Sequence, residues 1–177
     1  MMKDVRSAAW LLPICFVIHD GEELLTMPAW IADHRAVLDA IAHSGPVARL
    51  AVEQLPTTTT EVAVAIGLEL LLFIAATIAF VRDPPRPLTR YLYAALLGIF
   101  VLHSATHLAQ ALVLRDYTPG VVSAVLAIPP TGLVVYRALF AAKLLTWAEA
   151  ISSTVIGAVA FLPLFFSMLR IARWLNS

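Results

Sequence analysis

Residues 62–81 read VAVAIGLELLLFIAATIAFV, a run of 20 residues that contains a single charged side chain, Glu69. A helix of about 20 mostly apolar residues is long enough to cross the hydrocarbon core of a bilayer. Further stretches of this kind cover residues 8–31, 91–114, 120–140 and 151–169. Together they predict an all-α, polytopic membrane bundle of about five transmembrane helices, forming a single domain over residues 1–177.

The composition supports the same class of protein. Apolar residues make up 60% of the chain and charged residues 14%, and the mean hydropathy is +0.85. A soluble domain has about 45–50% apolar and about 25% charged residues, so this chain has too little polar surface to face water all round. Because 12 basic and 12 acidic residues cancel, the chain lacks the basic footprint of a nucleic-acid-binding protein. Cys15 is the only cysteine, so no intramolecular disulfide can form.

Polar and proline-containing segments mark several helix boundaries. Thr58-Thr59-Thr60-Glu61 has the pattern of a capping box that opens the second span, and Asp83-Pro84-Pro85 is expected to end that span. Thr118 followed by Pro119 predicts an N-cap with proline at the first helical position of the fourth span.

Irregular features are expected inside two spans and in the longest connection. Residues 32–61 predict two short helices at the membrane interface, separated at Ser44-Gly45-Pro46. They could form a lid or a plain structural connection. Gly21 predicts a bend or unwound turn in the first span, and Pro129-Pro130 a kink in the fourth.

Orientation follows from the distribution of positive charge. The short connection after the second span carries Arg82, Arg86 and Arg90. Short loops rich in Lys and Arg favour the cytoplasmic side of a membrane. With five spans, this predicts a cytoplasmic N-terminus.

Acidic residues occur where an apolar helix should have none. Asp20, Glu22 and Glu23 lie near the middle of the first span, and Glu69 lies within the second. Each ionised side chain at the centre of a spanning helix costs about 2.5–3.5 kcal/mol before it finds a partner. No basic residue of the first three spans lies at this depth, so we expect these groups to be protonated, hydrated or bound to a cation.

Helix periodicity places several of these groups beside histidines. His19 lies three residues before Glu22 and four before Glu23, so the three side chains share one helix face. His103 and His107 are also four residues apart, the spacing at which two imidazoles can bind one metal ion. Both motifs are expected near the middle of the membrane, which predicts that they meet.

These residues carry a family resemblance. The segments His19-Asp20-Gly21-Glu22-Glu23, His103-Ser104-Ala105-Thr106-His107 and Tyr117-Thr118-Pro119-Gly120 resemble the HXXEE-motif family of small bacterial membrane proteins. The resemblance covers most of the chain and implies an integral protein of the bacterial inner membrane. It implies no activity, because the family is defined by its motif. The characteristic residues correspond here to His19, Glu22, Glu23, His103 and His107.

The chemistry of this set favours an integral membrane metalloenzyme. We predict that one divalent ion is bound by His19, Glu23, His103 and His107, with Glu22 and Glu23 as the catalytic carboxylates. Residues expected to contact and orient these groups are Glu69, Gln110 and Tyr117. Zinc, the favoured ion, would indicate a hydrolase acting on a lipid-borne or membrane-embedded substrate, whereas iron or manganese would indicate oxidation.

Other functions remain open. The same glutamates and histidines could activate water without a permanent metal ion. Intramembrane Glu and His residues also mark pathways for protons or divalent metals, so the protein could be a transporter. A third alternative is a non-enzymatic accessory protein whose polar cluster serves packing. Pairs of small residues four apart, such as Ala94 with Gly98 and Ser153 with Gly157, allow close helix packing within the chain or in a homodimer.

Overall fold

The computed structural model describes residues 2–56 and 58–176, and the fold is all helical. Within these residues the chain forms α1 (Met2–Ala9), α2 (Leu11–Asp33), α3 (Arg35–His43), α4 (Pro46–Glu53), α5 (Thr59–Arg82), α6 (Pro87–Leu114), α7 (Val121–Leu126), α8 (Ile128–Ala141) and α9 (Trp147–Leu175). This architecture confirms the predicted membrane helical bundle.

Four segments among the described residues are long and apolar enough to cross a membrane. They are α5, α6, the combined α7 and α8, and α9. Helix α2 has 23 residues, about 34 Å at about 1.5 Å per residue, which matches a bilayer core in length. It carries Asp20, Glu22 and Glu23 in its middle. Its crossing of the membrane as the fifth span stays a prediction.

The apolar core lies where α1 and α2 pack against α5 and α8, and side chains of α6 complete it. Phe16, Phe80, Tyr93 and Leu97 are almost completely buried there. The hydroxyl of Tyr93 donates to the carbonyl of Ala9 over 2.9 Å, which ties α6 to the end of α1. This core holds α2 beside α6, the two helices that carry the histidine motifs.

Helices α6 and α9 pack closely along their length. A Cβ added at Gly98 would collide with Thr154, and one added at Gly157 would lie 2.7 Å from the Cβ of Ala95. Two of the predicted small-residue positions therefore serve packing inside this chain.

Several predicted boundaries are confirmed. Thr58 is the N-cap of α5, where its hydroxyl accepts the N–H of Glu61, and α5 ends at Arg82 with Asp83 as its C-cap. The two short helices between the first spans are α3 and α4. The fourth span is divided at Ala127, directly before the segment that contains Pro129 and Pro130.

Three local predictions are wrong. The unwound turn expected at Gly21 does not occur, because α2 is a continuous helix from Leu11 to Asp33; a bend at Gly21 stays a prediction. Thr118 does not cap α7, since Gly120 adopts a left-handed conformation and the helix begins only at Val121. The fifth span begins before residue 151, because Glu149 lies in the first turn of α9, where it forms a capping box with Thr146.

Candidate metal centre

Four side chains from α2 and α6 converge in the interior of the bundle. His19 and Glu23 come from α2, and His103 and His107 come from α6. One potential ligand atom from each lies within 4.8 Å of every other, a grouping that could hold a metal ion. The His19 ring centroid lies 5.3 Å from that of His103 and 4.8 Å from that of His107. His19 is completely buried and His107 is 4% exposed.

Regular helix geometry produces this convergence. Each helix contributes two residues four positions apart, which places both side chains on one face. The aromatic side chain of Phe100 on α6 packs edge-on against His19, with centroids 5.6 Å apart. Phe100 also packs against Phe16 and Phe73, so an apolar layer closes one side of the cluster.

The imidazole of His19 is oriented by Ser123 of α7. The His19 Nδ1 atom lies 3.0 Å from the Ser123 Oγ atom. The Ser123 hydroxyl gives its single proton to the Glu22 carboxylate, at 2.5 Å. The Nδ1 atom of His19 must therefore carry a proton and donate it to Ser123. Its Nε2 atom then has a free lone pair, and Nε2 is buried without a hydrogen-bond partner among the described residues.

His103 is held in the same tautomer by a neighbour on its own helix. The Thr106 hydroxyl donates to the His103 carbonyl over 2.7 Å, and its Oγ1 atom lies 3.3 Å from the His103 Nδ1 atom. Because the hydroxyl proton is already used, Nδ1 is the donor and Nε2 carries the lone pair. An Nδ1 hydrogen bond of this kind is typical of histidines that bind metals through Nε2.

His107 lies between His103 and Glu23. Its Nε2 atom is 2.8 Å from the His103 Nε2 atom and 3.2 Å from the Glu23 Oε1 atom. Neighbouring ligands on a tetrahedral zinc ion lie about 3.3 Å apart when the bonds are about 2.0–2.1 Å long. A small shift of the side chains would therefore bring these three atoms to ligand spacing around one ion.

Gly120 allows the cluster to close. Its φ of +82° is a left-handed conformation that favours glycine. A Cβ atom at this position would lie 2.8 Å from the His19 Cε1 atom, 2.9 Å from the His107 Cε1 atom and 3.1 Å from the Glu23 Cγ atom. The backbone of Gly120 thus packs directly against three of the four clustered residues.

Glu22 points away from this group and binds the start of α7. Its carboxylate accepts the backbone N–H groups of Val122 and Ser123 at 3.2 and 2.7 Å. It also accepts the hydroxyl of Tyr117 at 2.8 Å. These bonds satisfy free N–H groups in the first turn of α7, which the residues of that turn cannot satisfy themselves. Tyr117, which was predicted to contact and orient the site residues, therefore contacts Glu22.

The remaining predicted residues line an adjacent cavity. Glu69 and Gln110 border this cavity together with Glu23, His103 and His107, but neither belongs to the group of four. Asp20, which also lies outside the group of four, lines the cavity as well. The predicted role of Glu69 and Gln110 in orienting the clustered side chains stays a prediction.

A second contact set, which we call the clasp, lies at the C-terminal end of α2 and comprises Trp30, His34, Asp116 and Tyr117. The indole N–H of Trp30 donates to the Tyr117 carbonyl over 2.7 Å, and the His34 ring stacks on Trp30 with centroids 4.3 Å apart. The His34 Nε2 atom lies 3.3 Å from the Asp116 Oδ2 atom. The clasp fastens α2 to the loop that carries Gly120.

Hydrogen bonding and charge shift the pKa values of His34 and Asp116, two residues of the clasp, in opposite directions. The carbonyl of Trp30, and then the carboxylate of Asp116, raise the pKa of His34 above its ordinary value of 6.5. The His34 ring, and then the backbone N–H of Tyr117, lower the pKa of Asp116 below its ordinary value of 3.8. Both shifts favour the charged forms and hence the ion pair.

Ser123 and Thr106 are the site residues that the sequence analysis missed. A serine in a short helix carries no local signal of contact with a histidine 104 positions earlier. Thr106 could have been found, because a threonine three residues after a histidine on one helix lies on the same face.

Comparison with known proteins places the chain in a family. Residues 10–135 match the family described as protein of unknown function with HXXEE motif. The uncharacterised protein YrkK of Bacillus subtilis (strain 168) is 27% identical over 161 residues, which cover 87% of this chain and 91% of the relative. No solved structure shows a significant match. Since the family match spans most of the chain and includes His19, Glu23, His103 and His107, the protein belongs to the HXXEE family.

Proposed function

We propose that this protein is an integral membrane hydrolase that uses one divalent metal ion and acts on a lipid-borne or membrane-embedded substrate. The observation that carries the proposal is the orientation of His19 and His103. Each uses its Nδ1 atom to contact a hydroxyl whose proton is donated elsewhere, so the Nε2 atom of each carries the lone pair. The His19 Nε2 atom has no hydrogen-bond partner among the described residues, and the His103 Nε2 atom faces the His107 Nε2 atom at 2.8 Å. Two such lone pairs beside Glu23 and His107 form a donor set suited to a cation.

The donor types favour zinc. Three imidazole nitrogens and one carboxylate oxygen suit zinc, with iron and manganese as alternatives. The buried Nε2 atom of His19, which has no hydrogen-bond partner among residues 2–56 and 58–176, would gain one by binding the ion. A bound ion would polarise a substrate carbonyl oxygen and lower the pKa of water.

Glu23 is the carboxylate best placed to move a proton. It borders both the group of histidines and the cavity. We propose that one carboxylate oxygen of Glu23 would hold the ion, and that the other accepts a proton from water as the water oxygen bonds to the substrate carbonyl carbon. The bond from that carbon to the leaving oxygen or nitrogen then breaks, and Glu23 gives the proton to the leaving atom.

Glu22 is assigned a positioning role instead of the catalytic role expected from the motif. Both of its carboxylate oxygens already accept hydrogen bonds from Tyr117, Val122 and Ser123. A base that takes a proton from water needs an oxygen free to approach that water. Glu22 therefore acts through Ser123, which in turn orients His19.

The location of the cluster supports a lipid-borne substrate. The histidines lie within helices that can span a membrane or pack beside them, and the adjacent cavity is lined mostly by apolar side chains. We place the protein in the bacterial plasma membrane, with its N-terminus in the cytoplasm.

The test uses water enriched in oxygen-18, which reports hydrolysis of any ester or amide in a mixture of lipids. Protein in lipid nanodiscs is incubated with a bacterial lipid extract in this water, and the products are analysed by mass spectrometry. Hydrolysis inserts one oxygen-18 atom into each carboxyl product. We expect labelled products with the wild type and none with Glu23→Gln. Labelling that is equal in both, or absent from a zinc-loaded wild type, would refute the proposed hydrolysis.

A further inference from the structure

The cavity beside the histidine cluster has a volume of about 650 Å³. At about 30 Å³ for a group the size of a water molecule or a methylene, this volume holds roughly twenty such groups. Its lining on α6 extends from Ile99 to Leu114, about 22 Å along the axis at about 1.5 Å per residue. The cavity is thus long enough for one extended hydrocarbon chain and too small for two chains of that length.

The walls of the cavity are chemically asymmetric. Phenylalanine and leucine side chains of α9, including Phe165 and Leu169, form an apolar wall. Polar groups of the lining come from α2, α5 and α6 and comprise Glu23, His103 and His107 of the cluster together with Asp20, Glu69 and Gln110. A ligand that fits this cavity has an apolar chain and a polar group that lies at the level of the cluster.

A buried hydroxyl marks where the polar group would lie. Thr118 lines the cavity and is 2% exposed, and its Oγ1 atom has no hydrogen-bond partner among the described residues. Buried polar groups are nearly always hydrogen-bonded. Thr118 also lies two residues before Gly120, whose backbone packs on His19 and His107. A ligand carbonyl near the cluster would provide the missing acceptor.

We infer that this cavity binds one long hydrocarbon chain that ends in a carbonyl-containing group, with the carbonyl beside Thr118 and the cluster. The inference rests on the proposed function, since it names the substrate class of that site. Straight fatty-acyl chains and branched isoprenoid chains are both hydrocarbon chains of this kind.

Photoactivatable probes test the inference and separate the two sources. A palmitamide and a farnesyl acetamide, each with a diazirine in its chain, are crosslinked to the protein in nanodiscs, and labelled residues are mapped by mass spectrometry. We expect labels on cavity residues such as Met27 and Phe165 with at least one of the probes. The probe that labels the cavity more strongly identifies the chain type. Labels confined to outward-facing residues such as Val159 would overturn the inference.

A matched pair of variants on α9 provides the control. Ala158 lines the cavity, whereas Ala160 is exposed on the same helix and does not belong to the lining. Ala158→Trp should reduce cavity labelling, because the indole occupies part of the space, and Ala160→Trp should leave it unchanged. Equal labelling in both variants would contradict binding inside the cavity.

Thr118 variants test the position of the carbonyl without changing the volume of the cavity. Thr118→Val should reduce labelling by the palmitamide to the level of a diazirine-bearing hexadecane, and Thr118→Ser should restore it. Unchanged palmitamide labelling in Thr118→Val would refute the assigned carbonyl position.

A His103→Ala/His107→Ala variant separates chain binding from metal binding. In this variant, which has lost its metal, the photoactivatable probes should still label the cavity. Chain binding and metal-dependent hydrolysis can therefore fail independently.

Discussion

The Ser123 Oγ atom lies 3.0 Å from the His19 Nδ1 atom, although 104 positions separate the two residues in the chain. Through this contact the first turn of α7 determines which ring nitrogen of the buried His19 in α2 carries a proton. The contact predicts that residues outside the HXXEE motif control how tightly the centre binds a cation.

Ser123→Ala should weaken zinc binding by about 10- to 100-fold, because His19 loses the acceptor that orients its Nδ1 proton. Zinc affinity is measured by competition with a chelating dye in nanodiscs. Ser153→Ala is the matched control, since Ser153 is also buried but donates only to the Ala150 carbonyl of its own helix. Equal affinity in Ser123→Ala and the wild type would contradict the orienting role.

Glu22→Gln should lower the free energy of unfolding by about 1–3 kcal/mol. The amide supplies one acceptor oxygen where the carboxylate supplies two, and its NH₂ group would face donors of Tyr117, Val122 or Ser123. Thermal unfolding followed by tryptophan fluorescence measures the change. Asp39→Asn, at an exposed position of α3, should be neutral. If both substitutions have the same small effect, Glu22 does not hold α7.

Gly120→Ala should disrupt the cluster. The new Cβ would lie within 3.1 Å of atoms of His19, His107 and Glu23, on a backbone with a φ of +82°. We expect loss of zinc binding together with a lower unfolding temperature.

Gly21→Ala is the control for that substitution. No neighbouring atom lies within 4 Å of a Cβ at Gly21, and alanine in a helix interior is favoured over glycine by about 0.5–1 kcal/mol. This variant should bind zinc normally and be equally or more stable. Normal zinc binding by Gly120→Ala would show that the close packing around Gly120 is not required.

The clasp should be strongest in weakly acidic solution. The folded pKa of His34 is raised, so its stabilising contribution is complete below its ordinary value of 6.5 and is lost as the pH rises through the folded pKa. The folded pKa of Asp116 is lowered, so its contribution is complete above 3.8 and is lost as the pH falls through the folded pKa. The two contributions coincide between pH 3.8 and 6.5.

An NMR titration of the His34 ring measures this coupling. Asp116→Asn should lower the pKa of His34 towards 6.5, because the ring loses the carboxylate partner. The bond to the Trp30 carbonyl remains in that variant. A titration curve that is identical with and without the Asp116 carboxylate would refute the ion pair.

The predicted orientation can be tested by cysteine labelling in intact cells. Cys15 is buried, so it should contribute little background. With a cytoplasmic N-terminus and five crossings, Ser44→Cys should react with a membrane-impermeant maleimide and Pro85→Cys should not. Reaction of Pro85→Cys alone would reverse the orientation, and reaction at both positions would contradict the intervening span.

Local sequence patterns were sufficient to predict the long apolar helices and the two motifs that converge. Long apolar runs identify α5, α6 and α9, and the spacing of four residues places His19 with Glu23 and His103 with His107. These features depend on hydropathy and helix periodicity, which are properties of neighbouring residues.

Features that depend on distant contacts could not be predicted in this way. The start of α7 was misplaced because Gly120, not Thr118, adopts the conformation that precedes the helix. The separate roles of Glu22 and Glu23 become visible only when α7 is placed beside α2. Adjacent positions on a helix point about 100° apart, so each glutamate meets a different neighbour.

The central claim, that the cluster binds a catalytic metal ion, is tested most directly by elemental analysis. Wild-type protein and His103→Ala/His107→Ala are purified identically without chelators, supplied with zinc, iron and manganese, and analysed by mass spectrometry. We predict about one zinc ion per wild-type chain and none in the variant, since the variant lacks two of the four donors. Absence of metal from both proteins, or equal metal in both, would contradict the claim.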